Sequence, residues 1–454
     1  MMVTLMKAPR GGGNVVSRPS HPKALGGVIA LGLMACGPGA GIEVEISDVI
    51  PTVATVRWTT PAATQAWVEF GPSRDYGQAT PPTQLGTEHE VVLLGLWEDE
   101  TFHFRTVTTD GELGRDGRLK TGTLPDHTPR LWARGDLDSW SGFQIVPFTT
   151  ELEALAIVDP QGRPVWFFDP GTGLSVTRGV LAMDGDGVLL SQLATADRYD
   201  RPYTSILKVS WDGTEVDEIS LPMLDHDFVQ LPDGTLAGLC LVEQDGYSAI
   251  GDAIVTVDHD GDLEEVWNGW QAFDPSEVGV DYLEEEHWTH ANAMDYDPVD
   301  DTWLVGFRHL SSIVRIDRTS GEILWGLSGE VNDFTFTDGS EPTERQHQFQ
   351  RVDGGILVFD NGWPDRGYSR VVEYALDLDL MTADQVWELR HEDEIHCGIK
   401  GDVSRFDDGS TQVVWSTAGE IQDIDPDGER RWQLNTDWGT AIAYSQRVDD
   451  LYKR

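Results

Sequence analysis

Ile254-Val255-Thr256-Val257-Asp258-His259-Asp260-Gly261-Asp262-Leu263-Glu264-Glu265-Val266-Trp267 is one β-hairpin: an apolar strand, a turn rich in aspartate and glycine, and a return strand ending on tryptophan. Aspartate suits such a turn because its side chain bonds the backbone two residues on, and glycine because it takes positive φ without strain. These aspartates therefore read as turn formers before calcium ligands. The unit recurs. Ala156-Ile157-Val158-Asp159 leads through Gly162 to Trp166, and Ile206–Val209 through Asp212-Gly213. Ile313–Asp317 leads through Gly321 to Trp325, and Ile421–Asp425 through Gly428 to Trp432. Val371–Tyr374 reaches Trp387 by a longer, glycine-free turn. From Asp159 to Asp425 the spacing averages about 53 residues, a period at which strand–turn–strand units form the blades of a β-propeller.

Each hairpin supplies the two outer strands of a blade. Upstream of most lies a second hairpin for the inner two, such as Phe228–Leu231 with Thr235–Leu241, or Gln348–Val352 with Ile356–Asp360. Innermost strands then start near Arg178, His226, His290, His347, Gly398 and Ala441. The last has no outer partners after it, and the first outer hairpin has no innermost strand before it. Closure of the first blade by the C-terminal strand satisfies both. The expected fold is all-β, a six-bladed β-propeller over 125–454, with five or seven blades as alternatives.

Histidine opens three consecutive innermost strands, at His226, His290 and His347, with separations of 64 and 57 residues. Equivalent innermost positions converge on the axis of a propeller. Antiparallel pairing returns the end of the second strand to the start of the first, so Arg308 is expected beside His290 and Asn361 near His347. Asn292, two residues after His290, faces the same side of its strand. Three imidazoles, a guanidinium and two amides in one concavity form a candidate ligand site. His287 and His309 break the register and read as structural.

Upstream, residues 41–124 alternate as short strands: Ile42–Ile46, Val53–Thr59, Gln65–Phe70, His89–Leu94 and Thr101–Thr108, separated by turns such as Pro72-Ser73-Arg74-Asp75. They predict a small β-sandwich. The residues Trp58, Val68-Glu69-Phe70-Gly71, Tyr76-Gly77, Leu94-Gly95-Leu96 and Phe102-His103-Phe104-Arg105 resemble a fibronectin type III module. No catalytic set stands out in it, which leaves a spacer or a surface for homodimerisation. Residues 1–23 carry Lys7, Arg10, Arg18 and Lys23 without acid, and Ala24–Ala35 is apolar or glycine. That run is too short to span a bilayer but suits a signal h-region. It ends Leu33-Met34-Ala35-Cys36, which resembles a bacterial lipobox. Residues 1–40 are thus expected to be a lipoprotein signal peptide and linker, with Cys36 lipidated and the folded part in the cell envelope, facing the periplasm or exterior. Cys240 and Cys397 would remain, as one disulfide or two buried thiols.

Acids outnumber bases 78 to 32 over 454 residues, a formal charge of −46. Such a surface argues against nucleic-acid partners, whose binding rests on Lys and Arg neutralising phosphates, and against any membrane contact beyond a lipid anchor.

The segments Asp225-His226-Asp227-Phe228, Trp288-Thr289-His290-Ala291-Asn292, Gly306-Phe307-Arg308 and Gln346-His347-Gln348-Phe349 resemble the bacterial arylsulfate sulfotransferase family. So do Phe359-Asp360-Asn361-Gly362 and Ser369-Arg370-Val371-Val372-Glu373-Tyr374. The resemblance covers most of 125–454. It implies a six-bladed propeller that moves a sulfuryl group from an aryl sulfate donor to a phenol acceptor, with no nucleotide, metal or cofactor. By motif it places the nucleophile at His347. It gives sulfate binding and proton transfer to His226, His290, Asn292 and Arg308, with Asn361 in support at the adjacent rim. Two other readings stand beside it: a non-catalytic ligand-binding or scaffolding propeller, and a metal-dependent lyase or hydrolase using the histidines as ligands.

Cys36→Ser should release the protein from washed membranes. Unchanged membrane retention of a cleaved mutant would remove the anchor reading.

Overall fold

The repeated hairpins all pair in the computed structural model, which describes residues 41–171, 174–194, 204–275, 287–436 and 441–452. The expected leader and Cys36 lie outside these residues. The chain is all-β. In five hairpins the tryptophan sits at the same ladder position: Ile157 faces Trp166, Ile254 faces Trp267, Arg315 faces Trp325, Glu373 faces Trp387 and Asp423 faces Trp432. The register shifts immediately beyond each pair, so a β-bulge recurs there and adds local twist.

Among the described residues these hairpins lie in six sheets of four or five strands, antiparallel except where Thr335–Phe336 joins the fifth in parallel. The third, for example, runs outward from Leu224–Gln230 through Leu236–Glu243 and Ile250–Val257 to Leu263–Asn268. The fourth runs from Ala291–Asp297 to Ile323–Leu327, and the fifth from Phe349–Val352 to Thr382–Arg390. The core is divided between the sheets. One buried apolar cluster joins each consecutive pair: the first to the second through Leu155 and Val188, the third to the fourth through Leu239 and Trp303, the fifth to the sixth through Phe359 and Trp415. A further cluster joins the sixth to the first through Val414, Trp432, Ala156 and Phe148. The sheets therefore close on themselves.

Closure comes from both chain ends. Ala441–Ile442 and Gln446–Val448 pair with Phe143–Thr149 and form the inner edge of the first sheet. Leu131–Gly135 pairs with Arg430–Thr436 as the outermost strand of the sixth. This second strand exchange was not legible in the sequence, because Leu131–Gly135 lacks the hairpin partner that marks the other strands. The innermost strand of the sixth sheet begins at Asp402 rather than Gly398. Lys400 and Gly401 both have left-handed φ, 56° and 105°, which keeps Gly398–Lys400 out of the ladder. At the seam Asp402 accepts from the Ser445 N–H (2.9 Å), and Ser445 Oγ donates to the Ile145 carbonyl (2.5 Å). Burial pushes the Asp402 carboxyl up to about 7.

The N-terminal strands form two small sheets of three and four strands over a shared core of Val56, Trp58, Val68, Phe70, Leu93 and Phe104. This unit is joined to the ring. Ile50, Val53 and Leu94 pack into the cluster between the first and second large sheets. Tyr452 from the C-terminus donates to the Val92 carbonyl and accepts from the Leu94 N–H, at 2.9 and 2.8 Å. Cys240 and Cys397 are separate buried thiols, so of the two expected alternatives the thiols hold.

Truncation before Ala441 removes Ile442, Tyr444 and Leu451, all buried. At about 1.5–3 kcal/mol per buried apolar side chain, this takes a large part of the ~5–15 kcal/mol that holds a domain folded. The shortened chain should aggregate and melt lower. A monodisperse product melting with the full chain would contradict closure by this segment.

Candidate active site

The three repeat histidines lie at the inner edges of their sheets, two of them at distorted backbone. His226 lies where pairing jumps from Leu224–Cys240 to Phe228–Gly238, at φ 60°. His290 stands immediately before its strand at φ 50°. His347 precedes Phe349–Val352 and is tied to the neighbouring strand by its N–H to the Phe359 carbonyl (3.1 Å). Left-handed φ at a residue with a Cβ costs energy that the surrounding structure must hold in place, and such outliers gather at functional sites.

The three converge. The His226 and His290 rings have centroids 4.8 Å apart. Arg308 donates its backbone N–H to the His290 carbonyl (2.9 Å), as antiparallel pairing requires. Asn292 Nδ2 donates to the Gln346 carbonyl (2.8 Å), which fastens the residue before His347 to the fourth sheet.

His347 is 2% exposed and both ring nitrogens are engaged. Asn361 Nδ2 donates to the Cys397 and Lys400 carbonyls, at 2.7 and 2.8 Å, so its Oδ1 must face the ring. His347 Nδ1–H therefore donates to Asn361 Oδ1 (2.7 Å) and Nε2 keeps the lone pair, which accepts the Lys400 backbone N–H (2.9 Å). Burial, reinforced by the charge of Arg308, holds the His347 pKa well below its ordinary value. Burial and the surrounding histidines do the same to His290. Burial also lowers His226, against the Asp225 carboxylate 2.9 Å from its Nδ1. The imidazoles are thus neutral near pH 7, and the positive charge in the site belongs to Arg308 and Lys400.

Asn292 and Asn361, expected to bind substrate, are buried and donate to main-chain carbonyls; Asn361 Oδ1 meets His347, whereas Asn292 Oδ1 is buried without a partner among the described residues. They position the segments around His347. His226, His290, Arg308 and Lys400 are partly exposed and form the accessible face. His287 and His309 are structural in their contacts: His287 Nε2 lies 2.9 Å from Asp252 Oδ1, and His309 Nδ1 lies 2.7 Å from the His287 carbonyl. Among the described residues no three His, Cys, Asp or Glu side chains are grouped to hold a metal ion.

Sequence reasoning missed Arg178, Lys400 and Tyr444. Arg178 bridges to Tyr444 at the inner edges of the second and first sheets, and Lys400 Nζ stands 5.5 Å from the Tyr444 ring centre. The Tyr444 hydroxyl donates to the Asn292 carbonyl across the axis (2.6 Å). Each of these residues lies at or near an innermost-strand start, so the repeat position marked them. Their types, unlike three histidines, did not stand out.

A family match over residues 141–435, described as Arylsulfotransferase (ASST), spans every one of these residues except Tyr444. The chain belongs to this family. A curated relative, arylsulfate sulfotransferase AssT of Escherichia coli O6:H1, is 24% identical across 55% of this chain and 54% of its own. The chain thus spans about half the length of that relative. Among solved structures, a Bacteroides caccae protein aligns at 14% identity and TM-score 0.46, over 68% of this chain and 100% of its own. Virginiamycin B lyase of Staphylococcus aureus aligns at 13% and 0.35, over 75% and 93%.

Asn361→Ala should release the His347 tautomer and leave buried carbonyls without donors, at a cost of about 2 kcal/mol or more. Denaturant titration reads the loss, and nitrogen-15 NMR of the imidazoles reads the tautomer. An unchanged Nδ1–H signal with unchanged stability would refute the positioning role.

Proposed function

We propose that this arylsulfotransferase-family chain is a six-bladed β-propeller enzyme that moves a sulfuryl group from an aryl sulfate to a phenol through a sulfohistidine at His347. The observation that carries the reading is the fixed tautomer: Asn361 holds Nδ1–H, so the lone pair lies on Nε2, where the Lys400 backbone N–H meets it, and the charges of Arg308 and Lys400 help burial keep the ring neutral. In the first half-reaction Nε2 attacks sulfur, the N–S bond forms, and the S–O bond to the aryl group breaks. The phenolate leaves with the S–O electron pair and takes a proton relayed from water through a neighbouring neutral imidazole, His226 or His290, which gives up its N–H as its other nitrogen gains a proton. In the second, that imidazole relays the proton of the acceptor phenol back to water, while the phenol oxygen attacks sulfur and the N–S pair returns to Nε2. Arg308 supplies a fork of donors for charge on the sulfuryl oxygens, worth about 10²–10³ in rate when one such donor is lost. The partners are a small phenolic sulfate and a phenol, with no cofactor. The N-terminal unit is a fibronectin type III-like sandwich serving as spacer or homodimer surface, on a chain anchored through Cys36 to the envelope.

A second reading has an observation of its own: the Lys400 N–H occupies the attacking nitrogen, as suits a non-catalytic binding or scaffolding propeller. Turnover of a chromogenic aryl sulfate with added phenol separates the two.

Donor alone should release one equivalent of phenol in a burst, and the peptide containing His347 should gain the mass of SO3 under acid-free handling. His347→Ala should abolish both. His226→Ala, His290→Ala and Arg308→Ala should slow the burst without moving the adduct. Because burial and Arg308 disfavour the imidazolium, the neutral nucleophile persists as pH falls. With a donor whose phenolate leaves unprotonated, the burst rate should hold from about pH 7.5 to about 5.5, below the ordinary histidine pKa near 6.5. A midpoint near that value, an adduct on another histidine, or intersecting-line kinetics without adduct would overturn the assignment.

A further inference from the structure

Gly398–Lys400 sits on both groups that a sulfuryl donor must reach. The Gly398 carbonyl accepts from Arg308 Nη2 (3.1 Å), and the Lys400 N–H donates to His347 Nε2 (2.9 Å). A carbonyl oxygen on the guanidinium and an N–H on the nucleophile occupy the places of a sulfuryl oxygen and the sulfur. The segment lies outside the sixth sheet's ladder, is partly exposed, and is fastened through its Lys400 carbonyl to Asn361. Lys400 is a non-glycine residue in left-handed backbone, a conformation that costs energy.

The Lys400 side chain points into the same space. Its ammonium stands over the Tyr444 ring, 5.5 Å from the centre, on the inner edge of the sheet that closes the ring. After burial and other neighbours, its charge also lowers the pKa of both His226 and His347. Arg308 approaches from the fourth sheet and Lys400 from the sixth, with His347 of the fifth between them.

We propose that Lys400 is a donor-binding residue, whose ammonium pairs with the sulfuryl oxygens of an aryl sulfate held against Arg308 and His347, an exchange that releases the backbone contacts of Gly398 and Lys400 from those side chains. Two cations on opposite sides of one anion hold it in an otherwise acidic protein, and the strap keeps water from Nε2 until the anion arrives. This deepens the sulfuryl-transfer reading and rests on it.

The test separates the two. Binding of an unreactive aryl sulfonate, 2-naphthalenesulfonate, is measured by calorimetry to the full chain and to the Lys400→Met and Lys400→Arg variants, with donor kinetics in parallel. Lys400→Met keeps the aliphatic stem and deletes the charge. It should weaken sulfonate binding and raise the donor KM by about tenfold or more, with Lys400→Arg restoring most of both. Equal binding by wild type and Lys400→Met overturns the proposal, as does equal loss in both variants, which would make the role one of backbone shape. Sulfonate binding that depends on Lys400 in a chain without turnover keeps the binding role and removes the transferase reading. A kcat loss with unchanged KM and sulfonate affinity places Lys400 outside donor binding.

Discussion

The Asp227 carboxylate joins four of the six inner edges. It accepts from its own Phe228 N–H (2.9 Å), from Met294 N–H in the fourth sheet (3.1 Å) and from Gln348 Nε2 in the fifth (2.7 Å), and Arg178 of the second stands 3.6 Å away. It is wholly buried. A buried charge is tolerated only when paired and fully hydrogen-bonded, so these strands cannot separate without stranding it. Burial works against the Arg178 guanidinium as well, and Asp227 and Asp402 more than offset it. The ring is apolar between sheets and polar along its axis, and the polar part specifies how the inner strands meet.

Tyr444 and Gln348 are buried along the inner edges with Asp227, and the Tyr444 hydroxyl crosses from the first sheet to the fourth. His226, His290, Arg308 and Lys400 keep partial exposure, as Arg178 does. The same packing that excludes water from His347 also keeps its imidazole neutral, since an imidazolium there would be poorly solvated and face Arg308. Burial thus sets the protonation state: it keeps the imidazole neutral at neutral pH.

Part of the chain's excess of acid sits in the outer turns, while Asp225 and Asp227 lie at the centre. The aspartates of the outer hairpins cap their own turns, as Asp258 does by accepting from the Asp260 and Asp262 N–H groups at 3.0 and 2.9 Å. Within the site, arginine and lysine come from different sheets, so no single strand shows a basic motif. An anion would be held by charges that only ring closure assembles.

The sequence by itself determined what is local or periodic. Hairpins, turns, the spacing of the tryptophans and the common position of the three histidines follow from period-two alternation and turn chemistry, which act over a few residues. The pairing of Arg308 with His290 and of Asn361 with His347 followed too, because an antiparallel hairpin fixes its own rim. Tertiary structure decided what depends on non-neighbouring sheets. The pairing of Leu131–Gly135 with the sixth sheet spans nearly the whole ring, and no local pattern encodes it. The burial of Asn292 and Asn361 depends on which carbonyls the next sheet presents. Lys400 enters the site only because its left-handed backbone lifts Gly398–Lys400 out of the ladder and across His347. Side-chain direction at a strand entry is set by packing, and packing is a property of the closed ring.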